Sequence, residues 1–115
     1  MLSEKNKIIQ KIPNLSSSEV NNIHLFINEA LLFNNKHNIF VRESFDDVLN
    51  KDIIDCMPLI KKIKNNTKIL DLGSGGGFPG ILIAILKANC EIHLVEKAQK
   101  KAYFLKKMKD MLKLK

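Results

Sequence analysis

Apolar residues in the first two thirds of the chain recur every three or four positions, the period of an amphipathic helix. A first short helix is predicted to end at Pro13-Asn14. Ser16 and Glu19 then have the spacing of a capping box, in which each side chain accepts a hydrogen bond from the other residue's backbone N–H. The helix behind them is expected to run to about Phe33, because residues 34–38 are polar.

A second cap, Ser44 with Asp47, predicts another helical stretch. We expect an interruption near Pro58, because proline lacks the N–H of the helical hydrogen bond, and a resumed helix to about Ile63. The polar residues 64–66 then mark the predicted boundary in the chain. On this reading residues 1–66 form a helical N-terminal region and residues 67–115 a second region.

The pattern changes after residue 66. Residues 67–72 form a short β-rich apolar run, residues 73–80 are rich in glycine, and residues 81–87 form an apolar helix. A second strand is predicted over 91–95 and a last helix from Lys97 to about Leu112. The apolar face of that helix is expected to consist of Ala98, Ala102, Leu105, Met108 and Leu112. This order is a βαβα unit, and the fold class is α/β.

Composition limits the classes of protein to which this chain can belong. A chain of 115 residues fits one domain, and 45% apolar with 27% charged residues is typical of a soluble globular protein. No run is long enough to cross a membrane and no signal peptide is visible, so a cytoplasmic protein is expected. The net charge of +7 indicates either a polyanionic partner or a coding bias toward A and T, and charge alone does not separate these.

No metal site is expected. Cys56 and Cys90 lie far apart without a CxxC pair, and His24, His37 and His93 are scattered among different elements. Reduced, structural thiols are the better interpretation.

The candidate chemistry lies between the two predicted strands. Asp71 is the last residue but one of the first predicted strand, glycines follow at Gly73, Gly75 and Gly77, and Glu96 closes the second strand. Glycines at the carboxyl end of a strand let the backbone approach a ligand closely, and an acid ending the next strand is placed to bind ribose hydroxyls. The pattern therefore predicts nucleoside binding.

Pro79 bears on which nucleoside is bound. A proline in the first turn of a helix removes an N–H that a pyrophosphate would use, which disfavours a dinucleotide. S-Adenosyl-L-methionine has no pyrophosphate, and Asp71 would favour its cationic end electrostatically. An NAD-binding module stays open as an alternative.

Residues 69–80, Ile-Leu-Asp-Leu-Gly-Ser-Gly-Gly-Gly-Phe-Pro-Gly, resemble the signature of the GidB/RsmG family, the bacterial 16S rRNA guanine-N7 methyltransferases. Residues 37–39, 53–56 and 94–105 resemble further segments of that family. The chain departs from the family pattern at Phe40, where Thr or Ser is usual, and at Lys51-Asp52, where Arg-His is usual.

The resemblance implies N-terminal helices followed by the first βαβα half of a class I, Rossmann-like methyltransferase fold. It implies S-adenosyl-L-methionine as cofactor, with Gly73, Gly75, Gly77 and Phe78 lining its pocket and Glu96 holding its ribose. The implied partner is 16S rRNA or the small ribosomal subunit. No catalytic residue is named, because guanine N7 has an in-plane lone pair and needs no base.

The family's proteins are longer than this chain, so we expect an N-terminal portion whose activity alone is doubtful. An inactive remnant is therefore a second alternative. The lysines of the last helix are candidates for phosphate contacts or for a merely solvated face: Lys100, Lys101, Lys106, Lys107 and Lys109. The sequence leaves the oligomeric state open.

Overall fold

The computed structural model describes residues 3–37, 44–72, 80–87 and 89–114. Within them, the chain forms six α-helices, one π-helical segment and a parallel sheet of two strands. In chain order these are α1 Glu4–Lys11, α2 Ser17–His37, α3 Phe45–Asp47, the π-helical segment Val48–Ile53, α4 Ile54–Lys61, β1 Lys68–Leu72, α5 Gly80–Leu86, β2 Glu91–Val95 and α6 Gln99–Met111. The architecture is a mixed α/β arrangement with a small sheet.

The predicted helix caps are confirmed. Ser16 N–H donates to the Glu19 carboxylate at 2.9 Å, and Glu19 N–H donates to Ser16 Oγ at 3.1 Å, which closes the capping box of α2. Asp47 N–H likewise donates to Ser44 Oγ at 3.1 Å. These bonds satisfy backbone donors that the first turn of a helix leaves without an intrahelical partner.

The predicted end of α2 near Phe33 is wrong, because the helix continues to His37. Phe33 packs against Phe104 of α6, with ring centroids 5.1 Å apart, and Asn34 is only 8% exposed. The weak helix propensity of asparagine is therefore overridden by packing, which supplies most helical stability in proteins.

The predicted interruption at Pro58 is also wrong. Helix α4 runs through Pro58 without a break, directly after the π-helical segment. Ile53 and Ile60, on either side of the proline, are almost completely buried. We attribute the continuous helix to this burial, which offsets the loss of one N–H donor.

The two strands pair in parallel, with Asp71 opposite Leu94. Alternate residues of each strand are partly buried, including Ile69, Asp71 and Leu94, and their side of the sheet faces the start of α5. On the other side Leu70 is 62% exposed and Val95 44% exposed. Within the described part of the chain, this second face therefore carries apolar side chains in solvent.

One hydrophobic core joins both regions of the chain. Helix α2 lies at its centre and contacts α1, α3, α5 and α6. The largest side chains that are less than 2% exposed come from α1, α2, the π-helical segment, α5 and α6: Ile8, Ile23, Phe26, Ile27, Val48, Leu49, Ile53, Ile81, Leu82, Phe104 and Met108. The two regions share this core. The boundary between residues 66 and 67 stays a prediction.

The apolar face of α6 differs in part from the predicted one. Leu105, Met108 and Leu112 are buried as expected, but Ala98 precedes the helix and is exposed. The largest buried side chain of α6 is Phe104, which stacks on Phe26 of α2 with ring centroids 6.4 Å apart. Among the described residues, none of the helices combines the length and the apolar character that a membrane crossing requires.

Candidate cofactor-binding site

The carboxyl ends of β1 and β2 lie at the same edge of the sheet, because the strands are parallel and in register. Asp71 is the penultimate residue of β1, and Glu96 directly follows β2. The alternation of burial in β2 continues through Glu96, which is partly buried like Leu94. The two acids singled out from the sequence therefore lie at one edge and toward one face.

Asp71 is held between the sheet and the first residue of α5. Its Oδ2 atom is buried. A Cβ atom built on Gly80 would lie 2.8 Å from that oxygen, so the carboxylate lies directly against the backbone that starts α5. This position puts a negative charge beside the start of α5.

Glu96 is oriented by the backbone that follows it. Its Oε1 atom accepts a hydrogen bond from the Ala98 N–H at 3.1 Å, immediately before α6. A carboxylate is favoured at this place, since the first turn of a helix presents N–H groups and a partial positive charge. The side chain is thereby held at the carboxyl end of β2, beside the edge described above.

The remaining sequence-predicted site residues lie outside the described residues: Gly73, Gly75, Gly77 and Phe78. Their segment joins the end of β1 to the start of α5, and both of these ends are described. The roles of these four residues therefore stay predictions.

Gly80 is a residue of the site that the sequence reasoning did not single out. A Cβ at this position would also approach Leu94 Cδ2 far inside van der Waals contact. Any other residue would require the Leu94 side chain, the Asp71 side chain or the start of α5 to move. The available signal was a glycine directly before an apolar helix, which is the position of the close-packing glycine in nucleotide-binding βαβ units.

Cys56 on α4 lies near the same carboxylate. Burial raises the pKa of its thiol, and the negative charges of Asp52, Asp55 and Asp71 raise that pKa further. The charge of Asp71 on β1 therefore affects a thiol on α4. No spacing in the sequence indicated this proximity, because residues 56 and 71 are brought together only by packing.

A cleft runs along β2 and includes the carboxyl end of that strand. It has a volume of about 460 Å³ and follows β2 from Ile92 to Glu96, with α6 on one side. Asp71 and Gly80 do not line it. We therefore locate the candidate site by the strand ends and not by this cleft. Within residues 3–37, 44–72, 80–87 and 89–114, no group of three or more potential metal ligands is present.

Comparison with known proteins identifies the family that this chain matches. The model of the family described as rRNA small subunit methyltransferase G (GidB) matches residues 19–115. The protein called ribosomal RNA small subunit methyltransferase G in Borrelia garinii is 40% identical over 96 residues, covering 79% of this chain and 46% of the relative. The protein of that name in Polynucleobacter asymbioticus is 36% identical over 106 residues, covering 88% of this chain and 48% of the relative.

A third relative of the same name, from Magnetococcus marinus, is 37% identical over 91 residues and is covered to 41% of its length. The chain thus spans about half the length of the curated relatives that it matches.

Proposed function

The chain belongs to the rRNA small subunit methyltransferase G family, and on that premise we propose that it takes part in methylating N7 of a guanine in 16S rRNA. The methyl donor in this proposal is S-adenosyl-L-methionine. The substrate is 16S rRNA or the small ribosomal subunit, and the protein acts in the cytoplasm. The β1–α5–β2–α6 unit corresponds to the first half of a class I, Rossmann-like methyltransferase sheet.

The observation that supports this proposal best is the common edge shared by Asp71 and Glu96. In nucleoside-binding α/β proteins the ligand binds outside the carboxyl ends of the strands, and an acid after the second strand accepts hydrogen bonds from the ribose. Glu96 meets that requirement by position. The glycine-rich segment 73–79 begins at the same edge and would cradle the ligand.

Each residue has a defined part in the proposal. When bound, the methyl donor supplies an electrophilic methyl group on a cationic sulfonium. Glu96 binds the ribose, and Asp71 places negative charge beside the cationic part of the ligand. Gly80 keeps the start of α5 close to both strands.

No residue of the chain needs to remove a proton, since guanine N7 attacks with a lone pair that is already available. The rate enhancement then depends on the alignment of the two reactants and on an electrostatic environment suited to the transition state.

A dinucleotide-binding module is not favoured, because the matching family is one of methyltransferases. The activity of residues 1–115 by themselves is a separate matter, since the matched relatives are about twice as long. We propose that these residues bind the methyl donor's nucleoside and do not complete methyl transfer on their own. Assays with small ribosomal subunits and naked 16S rRNA test the second part directly.

Calorimetric titration with S-adenosylhomocysteine and, in parallel, with NAD tests the cofactor. We expect binding of the former only. Glu96→Gln should weaken it about ten- to a hundredfold, because hydrogen bonds to a charged group contribute about 1.5–3 kcal/mol. Glu91→Gln, at the opposite end of β2, is the matched control and should change the affinity less than about twofold. Tighter binding of NAD, or equal effects of the two substitutions, would refute the proposal.

A further inference from the structure

Helix α6 carries a second feature that the cofactor site does not use. Five of its thirteen residues are lysines and only Asp110 is acidic. Tyr103 lies among these lysines and is 63% exposed, which is unusual for an aromatic side chain. We call the surface formed by Lys100, Tyr103, Lys106 and Lys107 the α6 basic face.

The residues of the α6 basic face are neighbours in space. Lys100, Lys106 and Lys107 lie three or four positions from Tyr103, the separation at which side chains meet on a helix surface. The helix turns its other side to the core through Phe104 and Met108. These three lysines therefore border the exposed ring.

The Tyr103 ring is held in place by a contact with α2. It stacks on Phe33 of α2, with ring centroids 6.1 Å apart and an angle of 26° between the planes. One side of the ring is thus occupied by α2 while most of its surface faces solvent. A fixed aromatic ring with a free surface is the platform on which single-stranded nucleic acids stack their bases.

The charges on α6 oppose the stability of the helix. No acidic residue lies in its first turn, and Ala98 provides no side-chain cap. Lys100 and Lys101 instead lie near the helix N-terminus, whose partial positive charge repels them. Lys107 forms an ion pair with Glu29 at 3.3 Å, whereas Lys100 and Lys106 have no ion pair with any residue in the described ranges. This arrangement leaves positive charge available for an external anion.

We propose that the α6 basic face is a docking surface for a single-stranded RNA segment, in which Tyr103 stacks on a base while Lys100 and Lys106 contact phosphates. The positive charge and the stacking platform indicate that the ligand is a nucleic acid. The choice of RNA over DNA rests on the proposed function. Helix α6 begins three residues after Glu96, so Lys100 lies at the same end of the fold as the candidate cofactor site. RNA held along this helix reaches that edge.

Fluorescence anisotropy with a labelled single-stranded RNA of about 12 nucleotides, measured over a range of salt concentrations, tests the surface. The double substitution Lys100→Gln/Lys106→Gln should weaken binding about tenfold and lower the salt slope by about 1.4, because each phosphate contact on a single strand contributes about 0.7. The matched control is Lys5→Gln/Lys11→Gln on α1, where both lysines are exposed and the net charge changes equally. This control should leave the slope unchanged.

Tyr103 is tested separately. Tyr103→Ala should weaken binding about tenfold, and Tyr103→Phe should restore it to within about twofold, since a phenyl ring stacks as well. Equal losses in the two lysine doubles, unchanged binding by Tyr103→Ala, or equal competition by duplex DNA would each overturn the proposal.

The same variants are titrated with S-adenosylhomocysteine. Retained binding of this ligand together with lost RNA binding supports the α6 basic face. Unaltered RNA binding by all variants overturns the docking surface and leaves the proposed function standing, whereas failure of the unsubstituted chain to bind S-adenosylhomocysteine overturns the proposed cofactor alone.

Discussion

Replacing Gly80 with alanine tests the contact between α5 and the sheet. The new Cβ would lie 2.8 Å from Asp71 Oδ2, 3.4 Å from Leu94 Cγ, and closer still to Leu94 Cδ2. The distance to Leu94 Cγ is an ordinary contact, but real Cβ atoms essentially never come as close as the contacts with Asp71 Oδ2 and Leu94 Cδ2, so one of these side chains or the helix start must move. Both contacts involve the ends of side chains, which limits the cost of that movement.

The magnitude follows from two opposing effects. Overpacking of a well-packed region costs about 1–3 kcal/mol. Alanine favours the helix over glycine by at most about 1 kcal/mol, and by less at the first helical residue. We therefore expect Gly80→Ala to lower the free energy of unfolding by about 1–2 kcal/mol, measured by urea denaturation with circular dichroism.

A double-mutant cycle identifies the cause. Leu94→Ala removes the atoms that the new Cβ meets, so the cost of Gly80→Ala should fall by about 1 kcal/mol or more in that background. Ile92→Ala is the control, because this residue lies two positions earlier on the same face of β2. In the Ile92→Ala background the cost should persist.

Two outcomes would refute the reasoning. If Gly80→Ala is as stable as the unsubstituted chain, α5 does not begin against the strands as described. If the cost is the same in the Leu94→Ala and Ile92→Ala backgrounds, the loss has another origin, such as a change in the unfolded ensemble.

Two further predictions concern a cap and a thiol. Ser16→Ala should cost about 1 kcal/mol of unfolding free energy, because the capping box of α2 is lost, while Ser18→Ala on the exposed surface should cost about 0.5 kcal/mol or less; equal effects in urea denaturation would contradict this. In a Cys90→Ser background, the rate of Cys56 alkylation should rise only at a pH above the normal thiol range, because burial and nearby carboxylates raise the pKa of Cys56. Asp52→Asn should move that profile to lower pH, and an unmoved profile would exclude Asp52 as a cause.

Local features of the fold could be predicted from the sequence. The caps at Ser16 and Ser44 were predicted correctly because each involves residues only three positions apart. The bounds of both strands and of α5 agree with the expected ones to within one residue, since short apolar runs between polar or glycine-rich segments leave few alternatives. The family was also recognisable from the residues between Ile69 and Gly80 and the segments around them.

The candidate site was predictable only in part. The order strand, glycines, strand, acid indicated that Glu96 would lie beside the glycine-rich segment at the edge of the sheet, and the parallel register brings the carboxyl ends of both strands, with Asp71 and Glu96, to one edge. The roles of these acids, and of the glycines in residues 73–79, stay predictions. Gly80 and Cys56 were not assigned to the site, because their significance depends on residues of other elements that packing brings near them.

What the sequence determined by itself were interactions within one turn of helix or one strand, where hydrogen-bond partners and apolar periodicity are separated by a few residues. Only the tertiary structure decided that α2 continues through Asn34, that Phe104 is buried against Phe26, and that Tyr103 remains exposed. The physical reason is that packing between α2 and α6 joins residues about seventy positions apart. The free energy of such contacts exceeds local propensity and is not encoded in any short stretch of the chain.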